Sequence, residues 1–351
     1  MKMHARANIT PAILVMLLTI GPLSIRAFSQ VPFSGPIPLR DPAPFNLLFL
    51  QFQPQGADVL HSGQSSYRLQ LDLINNLLIP APTGASVVID NEYQRFTLTW
   101  HRGLGHQTEL QIQTGLLWRN GGILDGIITF YHHLTGLPAD AIDDPLGRDH
   151  WPQYRSKLQV VDPAGRVIVN QGNGFGLQET MVTLKHSLIR SSNRSAMALR
   201  LAVKLPTGNP RLLLGSGNVD EGLSIDARYA EGRDITLFAN IGGALLGHAS
   251  NLPGAASHVQ QGMVAIEYHP NSRDRYVLQV DAASTVLRTG NNLADQANVT
   301  ATFGFTHVLN EHLALYASYS ENGDIHNYTL PGFSNIGPDI SFSFGAEWHP
   351  E

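Results

Sequence analysis

Residues 340–348 read Ile340-Ser341-Phe342-Ser343-Phe344-Gly345-Ala346-Glu347-Trp348, large apolar side chains alternating with small or polar ones almost to the end of the chain. A repeat of two belongs to a β-strand, whose successive side chains point to opposite faces. A soluble sheet with one wet face could own such a strand, provided other segments built a core for it. Whether the same alternation recurs along the chain decides between that reading and a wall whose apolar face needs no protein core.

It recurs from Ser66 onward. Tyr67, Leu69, Leu71 and Leu73 interleave with Arg68, Gln70 and Asp72, and Phe96, Leu98 and Trp100 with Arg95, Thr97 and Thr99. Further sets run through Leu110–Trp118, Val182–Leu184, Met197–Leu205, Leu223–Tyr229, Ile235–Leu245, Val264–Tyr268, Tyr276–Val280, Val299–Phe305 and Leu313–Tyr319. With the last strand this makes about twelve segments of roughly ten residues, the length and even number of a membrane-spanning barrel. Working back from the C-terminus, the links are short at Leu309–Glu311, Pro270–Asp274, Glu231–Asp234, Arg190–Asn193 and Gly103–His106. They are long at 321–338, 285–294, 247–258, 206–219, 119–176 and 76–90. Short and long alternate throughout, as periplasmic turns and extracellular loops do. A soluble sandwich has no reason for that asymmetry and would leave many edges to protect. The expected fold is therefore all-β, an antiparallel transmembrane barrel of about twelve strands over residues 65–351. Its closing strand should turn Ile340, Phe342, Phe344 and Trp348 to lipid and pair with the strand beginning near Ser66.

Composition agrees. Of 351 residues, 15% are charged, the formal net charge is −5, and there are 33 Gly, 21 Pro and no Cys. The charged fraction is below that of ordinary soluble domains, yet mean hydropathy is only −0.07. Gln, Asn, Ser and Thr make up the difference, which suits a polar but mostly uncharged lumen. Near-balanced charge without a Lys/Arg run gives no footprint for nucleic acid, and a chain without cysteine has neither disulfides nor a CxxC metal site. Residues 1–29 carry Lys2, His4 and Arg6, an apolar run from Ile9 to Ile25, and Ala27-Phe28-Ser29, the pattern of a signal peptide cut after Ser29. Residues 30–64 follow as a proline-rich segment, with five prolines between 31 and 44, which excludes a helix or central strand there and makes it a possible plug.

In the longest loop, 119–176, the period changes to about 3.6. Leu124, Ile127, Ile128, Tyr131 and Leu134 form one face of a short amphipathic helix at about 123–136, stopped by Gly136-Leu137-Pro138. This helix is expected on the barrel mouth or in the lumen, as a lid or second plug candidate. His132 and His133 are adjacent and diverge on a helix, so no metal site is expected, nor any cofactor. The ordered set Gly121-Gly122-Ile123-Leu124-Asp125-Gly126, Phe130-Tyr131-His132, Gly136-Leu137-Pro138, Gly147-Arg148-Asp149, Lys204-Leu205-Pro206-Thr207-Gly208 and Gly215-Ser216-Gly217 with Asp220 resembles the bacterial family called domain of unknown function 3187. The resemblance implies an outer-membrane protein and supplies no catalytic residues.

On the lumen parity lie Arg68, Asp72, Arg95, Glu109, Lys185, Arg200, Lys204, Asp226, Arg228, Glu267, Asp281 and Glu347. They read either as a network bracing the wall or as a pore lining. His248-Ala249-Ser250-Asn251 resembles the His-x-Ser-Asn motif of outer-membrane phospholipases and lipid A deacylases, in which the histidine activates the serine. Extending the alternation from Ile235 to Leu245, however, turns His248 and Ser250 toward the lumen. The expectation is an integral outer-membrane barrel with a narrow, gated or plugged lumen for small polar or amphipathic solutes, not an enzyme. Outer-membrane lipids, lipopolysaccharide and the barrel assembly machinery are its expected partners. A structural or surface-interaction barrel and a lipid hydrolase are the alternatives.

Overall fold

The structure is a computed structural model that describes residues 33–78, 86–135, 153–162, 164–189, 194–288, 295, 297–321 and 340–350. The signal-peptide reading and the motifs at 136–138 and 147–149 lie outside these residues. Twelve long strands carry the wall: β1 (Ser65–Leu78), β2 (Ser86–Gly105), β3 (Thr108–Asn120), β7 (Thr180–Ile189), β8 (Ser195–Leu205), β9 (Asp220–Glu231), β10 (Ile235–Leu245), β11 (His258–Tyr268), β12 (Asp274–Ala283), β13 (Asn298–Asn310), β14 (Leu313–Glu321) and β15 (Ile340–Trp348). Each pairs antiparallel with its neighbours in sequence, and β15 closes on β1 in a register from Tyr67↔Trp348 to Asn75↔Ile340. The result is a closed twelve-stranded barrel. Closure leaves no open edge, so every spanning backbone group can be paired without water.

The parity holds around the ring. Leu69, Phe96, Leu98, Leu201, Leu223, Ile241, Val264, Leu278, Phe303 and Phe344 all point outward and are exposed. Such an apolar surface would be untenable in water and is the normal state of a wall in lipid. Tyr67 stacks on Trp348 across the closing seam, ring centroids 5.5 Å apart, at the end where the short turns lie.

The structure adds to and corrects the reading of the longest loop. Three short strands, β4 (Lys157–Val161), β5 (Val167–Gln171) and β6 (Gly174–Leu177), were not visible as periodic segments. β4 pairs with Ser86–Asp90 of β2, so the β1–β2 hairpin is longer than the loop at 76–90 suggested and carries a small extracellular sheet. β6 continues the line of β7 along β3, interrupted at Gln178-Glu179, where the Gln178 amide N–H still reaches the Gly115 carbonyl. The helix α1 (Asp125–Thr135) is neither at the mouth nor in the lumen. Leu124 and Ile128 pack against Leu73, Tyr319, Ile340 and Phe342, which are outward-facing residues of β1, β14 and β15. The helix therefore lies on the outer surface of the barrel. Two expectations change with it. Ile127 and Leu134 are not on the docked face but exposed, and Ile340, expected to meet lipid, is 3% exposed because the helix covers it.

Candidate functional site: the lumen and its inserted hairpin

What fills the lumen is the segment between Phe33 and Gln64. It rises from the short-turn end, turns over a 3-10 turn at Asn46–Leu48, and descends to the start of β1. Nearly every residue from Pro36 to Gln55 is buried. Proline makes this segment suitable. Its fixed φ keeps the chain extended, and Pro36, Pro38, Pro42 and Pro44 present no N–H that would need a partner inside the barrel.

The remaining backbone groups are satisfied by side chains of the wall. On the ascending limb, Glu267 accepts from the Ser34 hydroxyl and the Gly35 N–H at 2.5 and 2.9 Å. Gln279 clasps one residue, accepting from the Ile37 N–H at 2.9 Å and donating to the Ile37 carbonyl at 3.2 Å. On the descending limb Gln261 does the same for Phe52 and Asn240 for Gln55. Three cations then donate to carbonyls in succession along this limb. Lys204 reaches Leu48 at 3.2 Å, Arg200 reaches Gln53 at 2.8 Å, and Lys185 reaches both Gly56 and Asp58 at 2.6 Å. Arg200 also lies over the Phe52 ring, 4.9 Å from its centroid. Among the described residues no backbone-to-backbone hydrogen bond joins residues 36–60 to the wall. The hairpin is gripped by side chains and is not a thirteenth strand.

Apolar contacts differ between the limbs and the turn. Ile37 and Leu39 sit on an inward apolar patch of Phe238, Met263, Ala265 and Val277. Gly304 of β13 lies beneath Ile37, and a Cβ there would overlap that side chain. At the far end Phe45, Leu48, Phe49, Leu50 and Phe52 enter the largest apolar cluster of the molecule, together with residues of the extracellular sheet and of the loops after β10 and β12. The turn is thus capped from the extracellular side. Asp41 is held by the Ala43 N–H and by the amides of Asn46 and Asn298, at 2.9, 2.5 and 2.7 Å. Burial pushes its carboxyl above the ordinary aspartate range, against the pull of those donors.

The charged positions of the lumen parity fall into local groups. Arg95 pairs with Asp72 at 2.8 Å, Arg200 with Asp226 at 2.6 Å, and Arg68 with Glu347 at 2.8 Å. Arg228 meets Asp58 of the hairpin at 2.8 Å, and Lys204 lies between Glu179 and Asp220 at 3.2 and 3.3 Å. Glu109 accepts from His101 and from the Leu60 N–H, both within 2.9 Å, while Gln279 donates to Asp281 at 2.8 Å. Charge alone is an incomplete filter for this site, because Glu267, Lys185, Arg200 and Lys204 hold the hairpin together with uncharged residues. The amides Gln261, Asn240 and Gln279 share the lumen parity and each clasp one peptide unit, but an uncharged residue at a lumen position carries no distinguishing sequence signal. Glu179 and Asp220 stand at strand ends that read as loop, so the alternation does not place them in the lumen.

With the hairpin in place the lumen is broken into separate spaces. A cavity of about 390 Å³ opens at the short-turn end, lined by His61, Arg68, His101, Lys185, Arg228 and His349 among others. Deeper, beside Arg40, Asp41 and Phe52, only about 20 Å³ remains. That is room for about one water molecule.

His248 and Ser250 stand in the loop after β10, both exposed. The His248 backbone carbonyl accepts from the Asn218 amide, Ala249 between them is buried in the apolar cluster, and no hydrogen bond joins their side chains among the described residues. The imidazole is not seated to take the serine proton.

A closed barrel with an apolar outer belt, a charge-paired interior and an inserted N-terminal hairpin defines the class of integral β-barrels of the outer-membrane type. Within that class, this chain belongs to the family described as protein of unknown function (DUF3187), whose model matches residues 15–346. Among curated proteins no match is found. Among solved structures, the COG4313 outer membrane channel from Pseudomonas putida F1 is similar, with a TM-score of 0.56, 9% identity, and coverage of 86% of this chain and 100% of that one. The NanC porin aligns at a TM-score of 0.44 and 9% identity over 80% of this chain and 98% of its own. The KdgM porin aligns at 0.41 and 7% over 82% and 99%.

Proposed function

We propose that this protein is an outer-membrane channel for small polar or amphipathic solutes, described here in its closed state, with the hairpin 33–64 as its gate. The observation that carries the reading is the manner of attachment. A bracing element would join the sheet through backbone hydrogen bonds along its length, whereas residues 36–60 are clasped by side chains, backbone pairing begins only where Gly63 and Gln64 meet Gly103, and both limbs lie at the same end of the barrel. It can leave as one piece, without opening the wall or threading a chain end. Several buried polar atoms at its boundary, including the Gln53 amide and Nε of Arg40 and Arg200, lack a direct protein partner. A surface built only to be filled would leave fewer such atoms unpaired. An interior that mixes amides and paired charges with the Phe238–Met263–Val277 patch suits polar and amphipathic solutes and implies no covalent chemistry. In this reading the signal peptide is removed after Ser29, the barrel assembly machinery inserts the chain, and the hairpin enters from the periplasm.

The gate does not open by itself. Phe45, Leu47, Leu48, Phe49, Leu50 and Phe52 are each no more than 4% exposed. At about 1.5–3 kcal/mol per buried side chain they hold the turn by roughly 9–18 kcal/mol, so thermal opening is rarer than about one molecule in a million. A solute or periplasmic partner must supply the difference. The test is single-channel recording in planar bilayers, comparing the full chain with a variant lacking residues 33–60, after heat-modifiable gel mobility has shown both to be folded. Steady conductance only in the shortened protein is expected. A folded, hairpin-free barrel that does not conduct would sink the channel reading.

A further inference from the structure

The helix α1 has two apolar stripes, of which only one is used by the protein. Leu124 and Ile128 dock on the outer wall. Ile123, just ahead of the helix, and Ile127, Phe130 and Leu134 on its neighbouring face are 70, 53, 66 and 73% exposed. The docking is well built. Glu92, pointing outward from β2, accepts from the N–H groups of Ile123 and Leu124 at 2.8 and 2.5 Å, placing a carboxylate at the positive end of the helix. The Asn75 amide of β1 donates to Asp125 at 3.1 Å, and the Tyr154 N–H meets the same carboxylate at 2.6 Å.

Depth decides what meets the exposed stripe. The Tyr67–Trp348 stack marks the periplasmic edge of the apolar belt. Leu73 and Asn75 lie six and eight residues further along β1. For strands tilted about 40° and rising about 3.3 Å per residue, that places them roughly 15 and 20 Å above the edge, within a belt about 25 Å tall. We infer that α1 lies in the plane of the outer leaflet, with Ile123, Ile127, Phe130 and Leu134 among the acyl chains of the lipid. The face beside the stripe, Leu124 and Ile128, packs on the outward residues Leu73, Tyr319, Ile340 and Phe342 of β1, β14 and β15. Between residues 120 and 135 the only Asp, Glu, Lys or Arg is Asp125, which is buried, so the helix brings no Lys or Arg to phosphate headgroups. The position also accounts for Glu92 and Asn75, polar groups on the lipid side of the wall that are 1% and 2% exposed. Without the helix they would face hydrocarbon, at a heavy cost for the carboxylate. This inference concerns the outer surface and stands whether or not the lumen conducts.

The absence of cysteine makes the test direct. Single variants Ile127→Cys and Phe130→Cys are labelled with an environment-sensitive fluorophore and reconstituted in phosphatidylcholine vesicles with or without brominated acyl chains. Phe344→Cys serves as the lipid reference and Arg166→Cys, in the exposed β4–β5 turn, as the aqueous one. Labels at 127 and 130 should lose intensity to brominated lipid as the label at 344 does and resist aqueous iodide. Iodide quenching equal to that at 166 would overturn the inference. So would shielding from both quenchers together with disulfide-linked dimers of the Phe130→Cys protein, which would show a second copy covering the stripe.

Discussion

If apolar contacts of the turn hold the gate, weakening them in steps should open it in steps. Phe45 and Phe49 are the two aromatic anchors of the turn, 2% and 0% exposed, both within the extracellular cluster. A buried Phe→Ala change costs about 3–5 kcal/mol. The double variant Phe45→Ala/Phe49→Ala should therefore remove up to about 6–10 kcal/mol from the closed state, the upper end applying only if the two sites act independently. Neither residue belongs to the wall, so the loss falls on the hairpin and not on the barrel. At about 1.4 kcal/mol per factor of ten, a loss of about 6 kcal/mol corresponds to a roughly ten-thousandfold rise in the open fraction. Planar-bilayer recordings should then show brief steps of the same amplitude as the steady current of the hairpin-free protein, absent from the parent. Each single variant should fall between. A doubly substituted barrel as silent as the parent, when the hairpin-free barrel conducts, would refute the argument that these contacts hold the gate.

Other perturbations address other parts of the structure. Gly304→Leu places a side chain where Ile37 now sits and should raise open probability without changing heat-modifiable mobility, since the wall itself has room for it once the hairpin shifts. Lys204→Met leaves Glu179 and Asp220 buried without their cation and should lower stability by about 3–5 kcal/mol, measured by urea unfolding in lipid. Phe344→Lys, 47% exposed on the outer face of β15, should cost about 2–4 kcal/mol in the same assay. An unchanged midpoint there would count against a lipid-facing closing strand.

The barrel was legible in the sequence because the membrane enforces one simple rule on every strand. Each must put apolar residues outward for about ten positions, so the alternation around Tyr67, Phe96, Leu223 and Phe344 survives insertion of any loop between them. The hairpin obeys no such rule. Its proline content excluded helix and central strand, but its path depends on Gln279, Gln261 and Asn240 meeting single peptide groups, and that leaves no period to read. The helix was legible as a helix and misplaced as a part. The 3.6 spacing of Leu124, Ile127, Ile128 and Leu134 shows an apolar surface but not what it touches; the packing on Leu73, Ile340 and Phe342 and the Glu92 and Asp125 contacts tie it to the outside of the wall. β4 and β5, five residues each, are too short to show a repeat above chance.

The hairpin's course also bears on how the molecule is made. Because both limbs run back from the turn at Asn46–Leu48 to one side, the geometry allows a finished ring to receive it turn first, as a bottle receives a cork. Synthesis order imposes nothing, although this segment leaves the ribosome before any strand. An error in seating leaves a complete, unstoppered barrel and not a tangled one. Phe33 stands at the short-turn end of the barrel, so a pull applied there along the barrel axis would act on the stopper and not on the ring.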